Sequence, residues 1–333
     1  MRLLVTGGAG FIGSHFVRQL LTGAYPDLAG ARTVVVVDKL TYAGNLANLD
    51  PVADHPSFEF LHADIRDEEL MGQVMRGTDM VVHFAAESHV DRSIADASAF
   101  VETNVHGTQT LLQAAVDAKV GRFVHVSTDE VYGSIAEGTW HESQPLAPNS
   151  PYAASKAASD LLALAYHRTY GLPVIVTRCS NNYGPYQHPE KVVPLFATNL
   201  MDGLTVPLYN DGGNSRDWLH VDDHCHGIQL AATGGRPGEV YHIGGGTELT
   251  NRELTERLLA LCGADGSSVR HVADRPGHDL RYALDVGKLA GELGYAPRTD
   301  FMTGLADTVR WYAENRSWWE PLKKAAQEAP EAD

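Results

Sequence analysis

Apolar stretches of strand-forming residues alternate with amphipathic helical segments through the first two-thirds of this chain, and no other feature limits its possible folds as strongly. Helical patterns such as FIGSHFVRQLLTG and NVHGTQTLLQAAVDAK separate the stretches. Several stretches are apolar almost throughout, as is typical of parallel strands that helices cover on both faces. The alternation predicts an α/β protein with a doubly wound parallel sheet. Its candidate strands are residues 2–7, 33–38, 58–64, 80–86, 122–128 and 173–179.

A glycine-rich loop, GGAGFIG at residues 7–13, directly follows the first candidate strand and begins a helix. Gly7, Gly10 and Gly13 permit a tight turn, a close approach of a pyrophosphate and close packing of helix on strand. Free N–H groups at the start of a helix also bind phosphate. In another context the same glycines would only end a strand. Between a strand and a helix, they predict a Rossmann-type dinucleotide-binding sheet.

Asp38 ends the second candidate strand, where a carboxylate can accept hydrogen bonds from both ribose hydroxyls of a dinucleotide. The same charge repels a 2′-phosphate, which favours NAD over NADP. Lys39 argues the other way, because a lysine at this place tolerates that phosphate. The plainer alternative is an Asp38 that only caps a turn.

Tyr152 and Lys156 lie four residues apart in PYAASKAASDLLALAYHRTYG, and so they share one face of a helix. Ser150 is placed to cap this helix, and Pro151 and Gly171 suit its start and its end. A nearby ammonium favours a phenolate, so the pair predicts a lowered pKa for Tyr152 and a base that takes a hydroxyl proton.

Asp129 and Glu130 stand side by side in STDEVYG, just after the strand-like run RFVHVS. Adjacent carboxylates repel each other, so one stays protonated while its neighbour ionises. In open α/β sheets the carboxyl ends of the strands face the ligand crevice. The pair therefore indicates a general acid beside a general base, rather than the polar start of a loop.

The overall charge narrows the class of partner. With 26 basic and 42 acidic residues the formal charge is −16, which disfavours nucleic acid and anionic membranes as partners. No apolar run approaches the roughly 20 residues that a membrane helix needs. Three cysteines provide no paired framework and the start lacks a secretory signal, so we expect a cytoplasmic protein.

The pattern of residue types changes near residue 180. From there on, turn-rich segments such as YNDGGNSRDW and DRPGHDLRY alternate with short predicted helices. We expect residues 1–180 to form the NAD-binding domain with the catalytic residues. Residues 181–320 are expected to form a smaller, mixed C-terminal substrate-binding lobe, from which segments can cross back to the sheet. Residues 321–333 are predicted to be a flexible tail.

The chain resembles the extended short-chain dehydrogenase/reductases in TGGAGFIG and in the Tyr152/Lys156 pair. Within that group STDEVYG, HFAAESHVDRS, SNNYGPYQ and DRPGHDLRY resemble the dTDP-glucose 4,6-dehydratases, from residue 1 to about residue 320. The Thr-Asp-Glu triplet is the most specific of these motifs. The chain departs from the family at Asn210, where glycine is usual, so the turn there is expected to sit differently.

The resemblance implies a reaction with retained NAD. Tyr152, with Lys156, would take the C4 hydroxyl proton of the glucose while hydride leaves C4. Glu130 would remove the C5 proton, Asp129 would protonate the departing C6 hydroxyl, and Thr128 would hydrogen-bond the C4 oxygen. Hydride then returns to C6, and a 4-keto-6-deoxy sugar results.

The resemblance also implies binding residues and a homodimer formed through helices that include the Tyr152 helix. The expected NAD contacts are Gly7, Gly10, Phe11, Ile12, Gly13, Asp38, Lys39, Leu40, Thr41, Asp64, Ile65, Phe84, Ala85, Ala86, Thr103, Tyr152, Lys156, Cys179 and Asn182. The expected contacts to the dTDP-glucose substrate are Ser88, Thr128, Asn181, Lys191, Leu195, Pro207, Tyr209, Arg216, Asn251, Arg275, His278 and Tyr282.

Three alternatives stay open at this point. GDP-mannose or a UDP-sugar is the alternative substrate, and a non-catalytic NAD-sensing regulator is the alternative class. The segment HVDDHCH at residues 220–226 offers metal-ligating side chains. Since no later cysteine and histidine cluster completes a ligand set, we interpret it as structural and expect no metal.

Overall fold

A computed structural model describes residues 1–328. Its centre is a seven-stranded sheet in the order β10-β6-β5-β4-β1-β2-β3, in which every neighbouring pair is parallel. This confirms the predicted doubly wound sheet. The sheet strands are β1 (Arg2–Thr6), β2 (Thr33–Asp38), β3 (Phe58–His62), β4 (Met80–His83), β5 (Arg122–Thr128), β6 (Val174–Cys179) and β10 (Val240–Ile243).

Helices cover both faces of the sheet, because residues along each strand point alternately to either side. Leu3 and Val5 of β1 pack with Phe16 on one face, whereas Leu4 packs with Leu111 on the other. The helices are α1 (Phe11–Leu21), α2 (Glu68–Met75), α3 (Val90–Ala95), α4 (Ser98–Phe100), α5 (Thr108–Ala118), α6 (Pro151–Tyr170), α7 (Val192–Met201), α8 (Val221–Gly234), α9 (Asn251–Cys262), α10 (Gly287–Leu293), α11 (Phe301–Glu314) and α12 (Arg316–Glu328). A π-helical turn, Val101–Gly107, leads into α5.

The smaller lobe carries two small sheets and its own core. One sheet has the order β11-β9-β7 and the other pairs β12 with β8. Buried side chains of α7, α9 and α11 fill the space behind these strands. The strands are β7 (Asn181–Tyr183), β8 (Val206–Tyr209), β9 (Ser215–His220), β11 (Glu248–Thr250) and β12 (Val269–Val272).

The chain returns from the smaller lobe to the large sheet. Helix α8 packs on the same face as α1, and β10 pairs with β6 as an edge strand. The large sheet and its covering layers therefore include elements from the C-terminal part of the chain as well as from the N-terminal part. None of the helices in residues 1–328 is long and apolar enough to cross a membrane.

The predicted flexible tail begins too early. Helix α12 continues through residue 321 to Glu328. Trp319 is 1% exposed, and Lys323 Nζ donates to Asp202 Oδ2 at 2.7 Å, so packing and an ion pair fix the helix. Residues 329–333 of the predicted tail lie outside the described residues.

Candidate active site

A cleft of about 310 Å³ opens at the carboxyl ends of the large sheet, as expected for an open α/β fold. It brings together the glycine loop, the end of β2, the end of β5 and the first turns of α6. The predicted cofactor residues that line it are Gly7, Gly10, Phe11, Ile12, Gly13, Asp38, Lys39, Thr41, Asp64, Ile65, Phe84, Ala85, Ala86, Thr103, Tyr152, Lys156, Cys179 and Asn182.

The glycine loop has no room for side chains. Gly7 has a φ of +69°, and a Cβ there would lie 2.5 Å from the Ala85 backbone nitrogen. A Cβ on Gly13 would lie 2.3 Å from the Gly7 carbonyl oxygen. Gly10 precedes α1 and provides no side-chain cap, so N–H groups at the helix start are available to a ligand.

Asp38 is 8% exposed at the end of β2, and its carboxylate accepts hydrogen bonds from two backbone N–H groups. Ala9 N donates to Oδ2 at 2.9 Å and Leu40 N to Oδ1 at 2.8 Å. Burial raises the pKa of Asp38, and these N–H groups oppose that shift. Leu40, which adopts a left-handed φ of 55°, thus positions Asp38 through its N–H group. It was predicted to contact the cofactor, but it does not line the cleft.

Lys39 is occupied by a different carboxylate. Its Nζ lies 2.8 Å from Asp64 Oδ2, and Arg66 Nη2 contacts the same oxygen at 2.8 Å. Although burial alone raises the pKa of Asp64, hydrogen bonds from Arg66 and Lys39 hold it well below its ordinary value. The ammonium that argued for NADP is therefore paired within the protein.

Helix α6 holds Tyr152 and Lys156 as predicted from its boundaries. Ser150 Oγ accepts from Ala153 N at 3.1 Å, Pro151 stands in the first turn, and Gly171 ends the helix with a φ of +72°. Tyr152 is 9% and Lys156 5% exposed. The Lys156 ammonium donates to the Val126 carbonyl oxygen at 2.8 Å, which fixes its position at the end of β5.

The predicted lowering of the Tyr152 pKa is wrong. Burial, with the nearby charge of Glu130, raises the pKa of the phenol well above its ordinary value. Burial lowers the pKa of Lys156 to about 8. Desolvation disfavours the charged form of both groups, and the sequence does not reveal how deeply each is buried.

Thr128, Asp129 and Glu130 form the turn that ends β5. Thr128 Oγ1 accepts from Glu130 N at 3.2 Å and donates to Asp129 Oδ1 at 3.3 Å. Asp129 is 2% exposed, and its Oδ2 has no hydrogen-bond partner. Asp129 is one of the residues that line the cleft.

The two neighbouring carboxyls have different electrostatic surroundings. Burial and then the charge of Glu130 raise the pKa of Asp129 well above its ordinary value. Burial also raises the pKa of Glu130, but Arg216, Arg275 and Lys191 oppose that shift. Arg216 opposes the shift at Asp129 as well, but the Glu130 charge adds to it, so the pKa of Asp129 is raised more strongly than that of Glu130. This difference has the direction that the predicted acid and base roles require.

Comparison with known proteins identifies the family. The family model described as GDP-mannose 4,6 dehydratase matches residues 4–308. A dTDP-glucose 4,6-dehydratase of Streptomyces niveus is 63% identical over 323 residues, which are 97% of this chain and 96% of that protein. The chain belongs to the dTDP-glucose 4,6-dehydratases. The resemblance in the sequence motifs is thereby confirmed.

Solved structures of dTDP-glucose 4,6-dehydratases have the same fold. DesIV from Streptomyces venezuelae, with NAD and TYD bound, has a TM-score of 0.96 at 72% identity and covers 97% of this chain and 100% of its own. The Bacillus anthracis enzyme in complex with NAD has a TM-score of 0.89 at 48% identity, with coverages of 97% and 99%.

The substrate residues predicted from the dTDP-glucose 4,6-dehydratase motifs divide into two groups. Ser88, Thr128, Asn181 and Lys191 line the cleft. Lys191 Nζ donates to the Ser88 carbonyl oxygen at 2.8 Å, and the buried Asn181 Oδ1 has no partner. The residues outside the lining are Leu195, Pro207, Tyr209, Arg216, Asn251, Arg275, His278 and Tyr282.

The second group is occupied by contacts within the protein. Arg216 lies 4.3 Å over the Tyr282 ring and donates to the Asp279 carbonyl oxygen, while Arg275 Nη1 pairs with Asp91 at 2.9 Å. The remaining members have partners in the smaller lobe. Leu195 packs against its core, Pro207 pairs with Arg270, Tyr209 contacts the His278 ring, and Asn251 begins α9. Their roles toward substrate stay predictions.

Asn210 takes the backbone conformation that glycine favours. Its φ is 46°, and its amide Nδ2 donates to Asp274 Oδ2 at 2.9 Å. Asparagine tolerates the left-handed region better than most residues because its side chain bonds locally. The left-handed turn therefore exists here without the glycine usual in the family.

Sequence reasoning missed several residues of the cleft. Glu87 and Ser180 follow strand ends and carried the same signal as Asp38. Gln187 and His188 carried none, because their segment reaches the cleft only through packing between the lobes. The missed residues are Val37, Ala43, Gly44, Ala63, Glu87, Val126, Ser127, Ser180, Gln187 and His188.

The HVDDHCH segment distributes its side chains to separate partners. Asp222 lies 3.0 Å from His15 Nε2, Asp223 accepts from the backbone N–H of Thr299, and His224 Nδ1 contacts Asn182 Oδ1 at 2.8 Å. Among residues 1–328 no group of three or more histidine, cysteine, aspartate or glutamate side chains has the arrangement of a metal site.

Proposed function

We propose that this chain converts dTDP-glucose to dTDP-4-keto-6-deoxyglucose and water with a retained NAD. The observation that carries the proposal is the Asp129/Glu130 pair: two adjacent carboxyls line one cleft, and burial raises the pKa of Asp129 more strongly than that of Glu130. An elimination across C5 and C6 needs an acid and a base at adjacent carbons, and adjacent residues can reach both.

The cleft fits NAD. The glycine loop leaves space that a Cβ would fill, and the buried Asp38 carboxylate lies beside it. NAD supplies the hydride acceptor at C4 and, in reduced form, the hydride donor at C6 when it is bound. With Lys39 paired to Asp64, the negative Asp38 dominates the ribose end and excludes a 2′-phosphate.

The residues of this chain then act on protons. Tyr152 takes the C4 hydroxyl proton as C4 becomes a ketone. Because burial raises the pKa of this phenol, its phenolate form depends on stabilisation by the Lys156 ammonium one helical turn away. The ketone acidifies the C5 proton, which Glu130 removes. Asp129 gives its proton to the C6 hydroxyl, which leaves as water. Hydride addition at C6 and a proton at C5 complete the 4-keto-6-deoxy sugar.

The substrate diphosphate meets a local excess of positive charge. Lys191, Arg216 and Arg275 lie close enough to Glu130 to affect its pKa. Arg275 is paired with Asp91, and a diphosphate competes well for a guanidinium because it carries two charges and several acceptor oxygens. Substrate binding is expected to take Arg275 from Asp91.

We also infer a homodimer in the cytoplasm. Ala154, Ala158, Leu161 and Ala165 form an apolar stripe at helical spacing along the outer side of α6, and Leu161 is 57% exposed. A second copy of α6 is a complementary partner for such a stripe. The cysteines at 179, 225 and 262 are unpaired, which suits a reducing compartment.

The test is turnover of dTDP-glucose by purified protein without added cofactor, with the 4-keto-6-deoxy sugar detected by its absorbance in alkali. UDP-glucose and GDP-mannose run in parallel, and Glu130→Gln is the inactive control. We expect product from dTDP-glucose only. Product from another sugar would transfer the activity to that substrate. No product from any of them, even with NAD supplied, would leave an NAD-binding regulator.

A further inference from the structure

A buried carboxylate lies one helical turn beyond Lys156. Asp160 is fully buried on α6, and position i+4 places it on the same face as Lys156. Its Oδ2 lies 2.8 Å from Arg178 Nε of β6, and its Oδ1 lies 3.2 Å from His125 Nε2 of β5. The acid is thus enclosed by the two strands whose ends form the cleft.

The charges around Lys156 can be counted from the elements that pack against it. His83 on β4 and His125 on β5 are fully buried, and burial lowers the pKa of both, so they are neutral. Burial raises the pKa of the Cys179 thiol on β6, which is uncharged as well. Arg178 is a second cation. Within this set Asp160 carries the only negative charge, and it faces two cations.

Arg178 does not depend on Asp160 alone. It also donates to the Tyr132 hydroxyl, which contacts His242 Nε2 at 2.7 Å. Among the described residues, Lys156 Nζ donates a hydrogen bond to one acceptor, the neutral Val126 carbonyl oxygen. The Asp160 carboxylate is therefore the group that compensates the buried ammonium of Lys156, although it forms no direct contact with it.

We propose that Asp160 is a positioning residue for the dehydratase reaction, whose buried charge keeps Lys156 in the ammonium form beneath Tyr152. The role rests on the proposed function, because it matters only if Lys156 must be charged to stabilise the Tyr152 phenolate. Asp160 itself touches neither substrate nor cofactor; it does not line the cleft.

The direction of the effect follows from electrostatics. Burial lowers the pKa of Lys156 to about 8, and the Asp160 charge opposes this shift. Without that charge Lys156 loses its proton at a lower pH. An opposite charge within about 4–6 Å shifts a pKa by about one to three units, so Asp160→Asn is expected to move the titration down by up to that amount.

Removing Arg178 has the opposite sign. Arg178→Gln removes the ion-pair partner of the Asp160 carboxylate, so that Lys156 becomes the cation left to compensate its charge. Lys156 is then expected to titrate at a higher pH than in the wild-type protein. Both substitutions break the same buried ion pair, so a merely structural role of Asp160 predicts that they behave alike.

The experiment follows the Lys156 side chain directly by NMR of protein with isotope-labelled lysine, assigned with Lys156→Met, across a pH titration. This readout needs no substrate, so it stands even if dTDP-glucose is not turned over. Asp223→Asn is the control, because Asp223 is 1% exposed, lies on α8 and accepts backbone hydrogen bonds from Arg298 and Thr299 rather than from β5 or β6. Asp160→Glu tests rescue by a retained charge.

We expect a lower titration midpoint for Asp160→Asn, a higher one for Arg178→Gln and no change for Asp223→Asn and Asp160→Glu. In turnover, kcat of Asp160→Asn falls by roughly tenfold or more at about pH 7.5 and by less near pH 6, with KM almost unchanged. Unchanged or equally shifted midpoints in the two ion-pair variants overturn the proposal. Either variant decides the question if the other does not fold.

Discussion

Asp129 combines two properties that oppose each other in a stable protein: deep burial and a carboxyl oxygen without a partner. Because the pKa of Asp129 is raised in the folded protein, Asp129 keeps its proton there at pH values at which the unfolded chain, with an ordinary aspartate pKa, has released it. Between these pH values the folded state binds more protons than the unfolded state. Stability therefore falls as the pH rises through this window. An acid with these surroundings suits proton donation better than it suits packing.

The first prediction is that Asp129→Asn stabilises the protein and inactivates it. Asparagine keeps the shape and removes the cost of holding a proton that the unfolded chain loses. We expect a higher Tm than wild type at about pH 7.5 and a difference that shrinks toward pH 4, where the unfolded aspartate is protonated too. Turnover is expected to fall by about a hundredfold or more. A lower Tm at both pH values would contradict the raised pKa of Asp129.

The second prediction concerns Gly13. Alanine there places a Cβ against the Gly7 carbonyl oxygen, at 2.3 Å before any relaxation, and displaces the loop that would hold the pyrophosphate. Gly13→Ala is expected to be purified with little NAD, measured by the nucleotide released on denaturation. Gly72→Ala on α2 is the control, because a Cβ there meets nothing within 4 Å. Equal NAD content in both variants would show that the loop tolerates the side chain.

At the scale of helices and strands, sequence patterns correctly predicted the elements whose formation depends on neighbouring residues. The β-branched runs predicted six strands of the large sheet, and Ser150, Pro151 and Gly171 predicted the ends of α6. The seventh strand, VYHI at 240–243, was missed because its four residues stand outside any longer apolar run, whereas the equally short β4 lies within the run of residues 80–86. Its partner strand also lies more than 60 positions earlier. A four-residue run has no periodicity of its own, and only the packed sheet identifies it.

The features of the site also fall into two classes: those that the local sequence predicts and those that only the folded chain creates. Asp38 and Asp129 follow strand ends, so their positions are readable from the sequence. Other properties depend on distances and burial in the folded chain. They are the Lys39–Asp64 ion pair, the cations near Glu130 and the direction of the Tyr152 pKa shift. The missed His188 and the predicted Tyr209 show the limit: a residue outside the large sheet reaches the cleft only if the lobes pack there.

The third prediction tests whether the N-cap of α6 positions its catalytic turn. Ser150→Ala removes the acceptor for Ala153 N, two residues from Tyr152, and is expected to cost about 1 kcal/mol in the free energy of unfolding. Because this turn carries Tyr152, kcat should also fall severalfold. The control is Asp67→Ala, which removes the N-cap acceptor of α2 away from the cleft. It is expected to lower stability to a similar degree with kcat unchanged; a matching loss of kcat would contradict a local effect.

On the scale of the whole molecule, the acidic surface and the three cations near Glu130 have different roles. A net charge of −16 repels polyanions, while Lys191, Arg216 and Arg275 lie near Glu130, where we propose that the substrate diphosphate binds. The outer side of α6 has neither charge pattern. Its apolar stripe lies opposite the face that carries Tyr152 and Lys156, so a dimer formed there would stiffen the helix that positions both residues.

The last prediction is that Leu161→Glu produces a monomer. A glutamate in the middle of the apolar stripe is expected to place two like charges face to face across a symmetric interface, since each residue of such an interface meets the same surface of the partner. Light scattering after size-exclusion chromatography should give the mass of two chains for the wild-type protein and of one chain for the variant. Leu204→Glu is the control, because Leu204 is similarly exposed, at 48% against 57% for Leu161, but lies in the smaller lobe. A monomeric wild-type protein, or a variant that stays dimeric, would place the interface elsewhere or remove it. If the monomer keeps its secondary structure but loses turnover, the dimer contributes to the position of α6 rather than to folding alone.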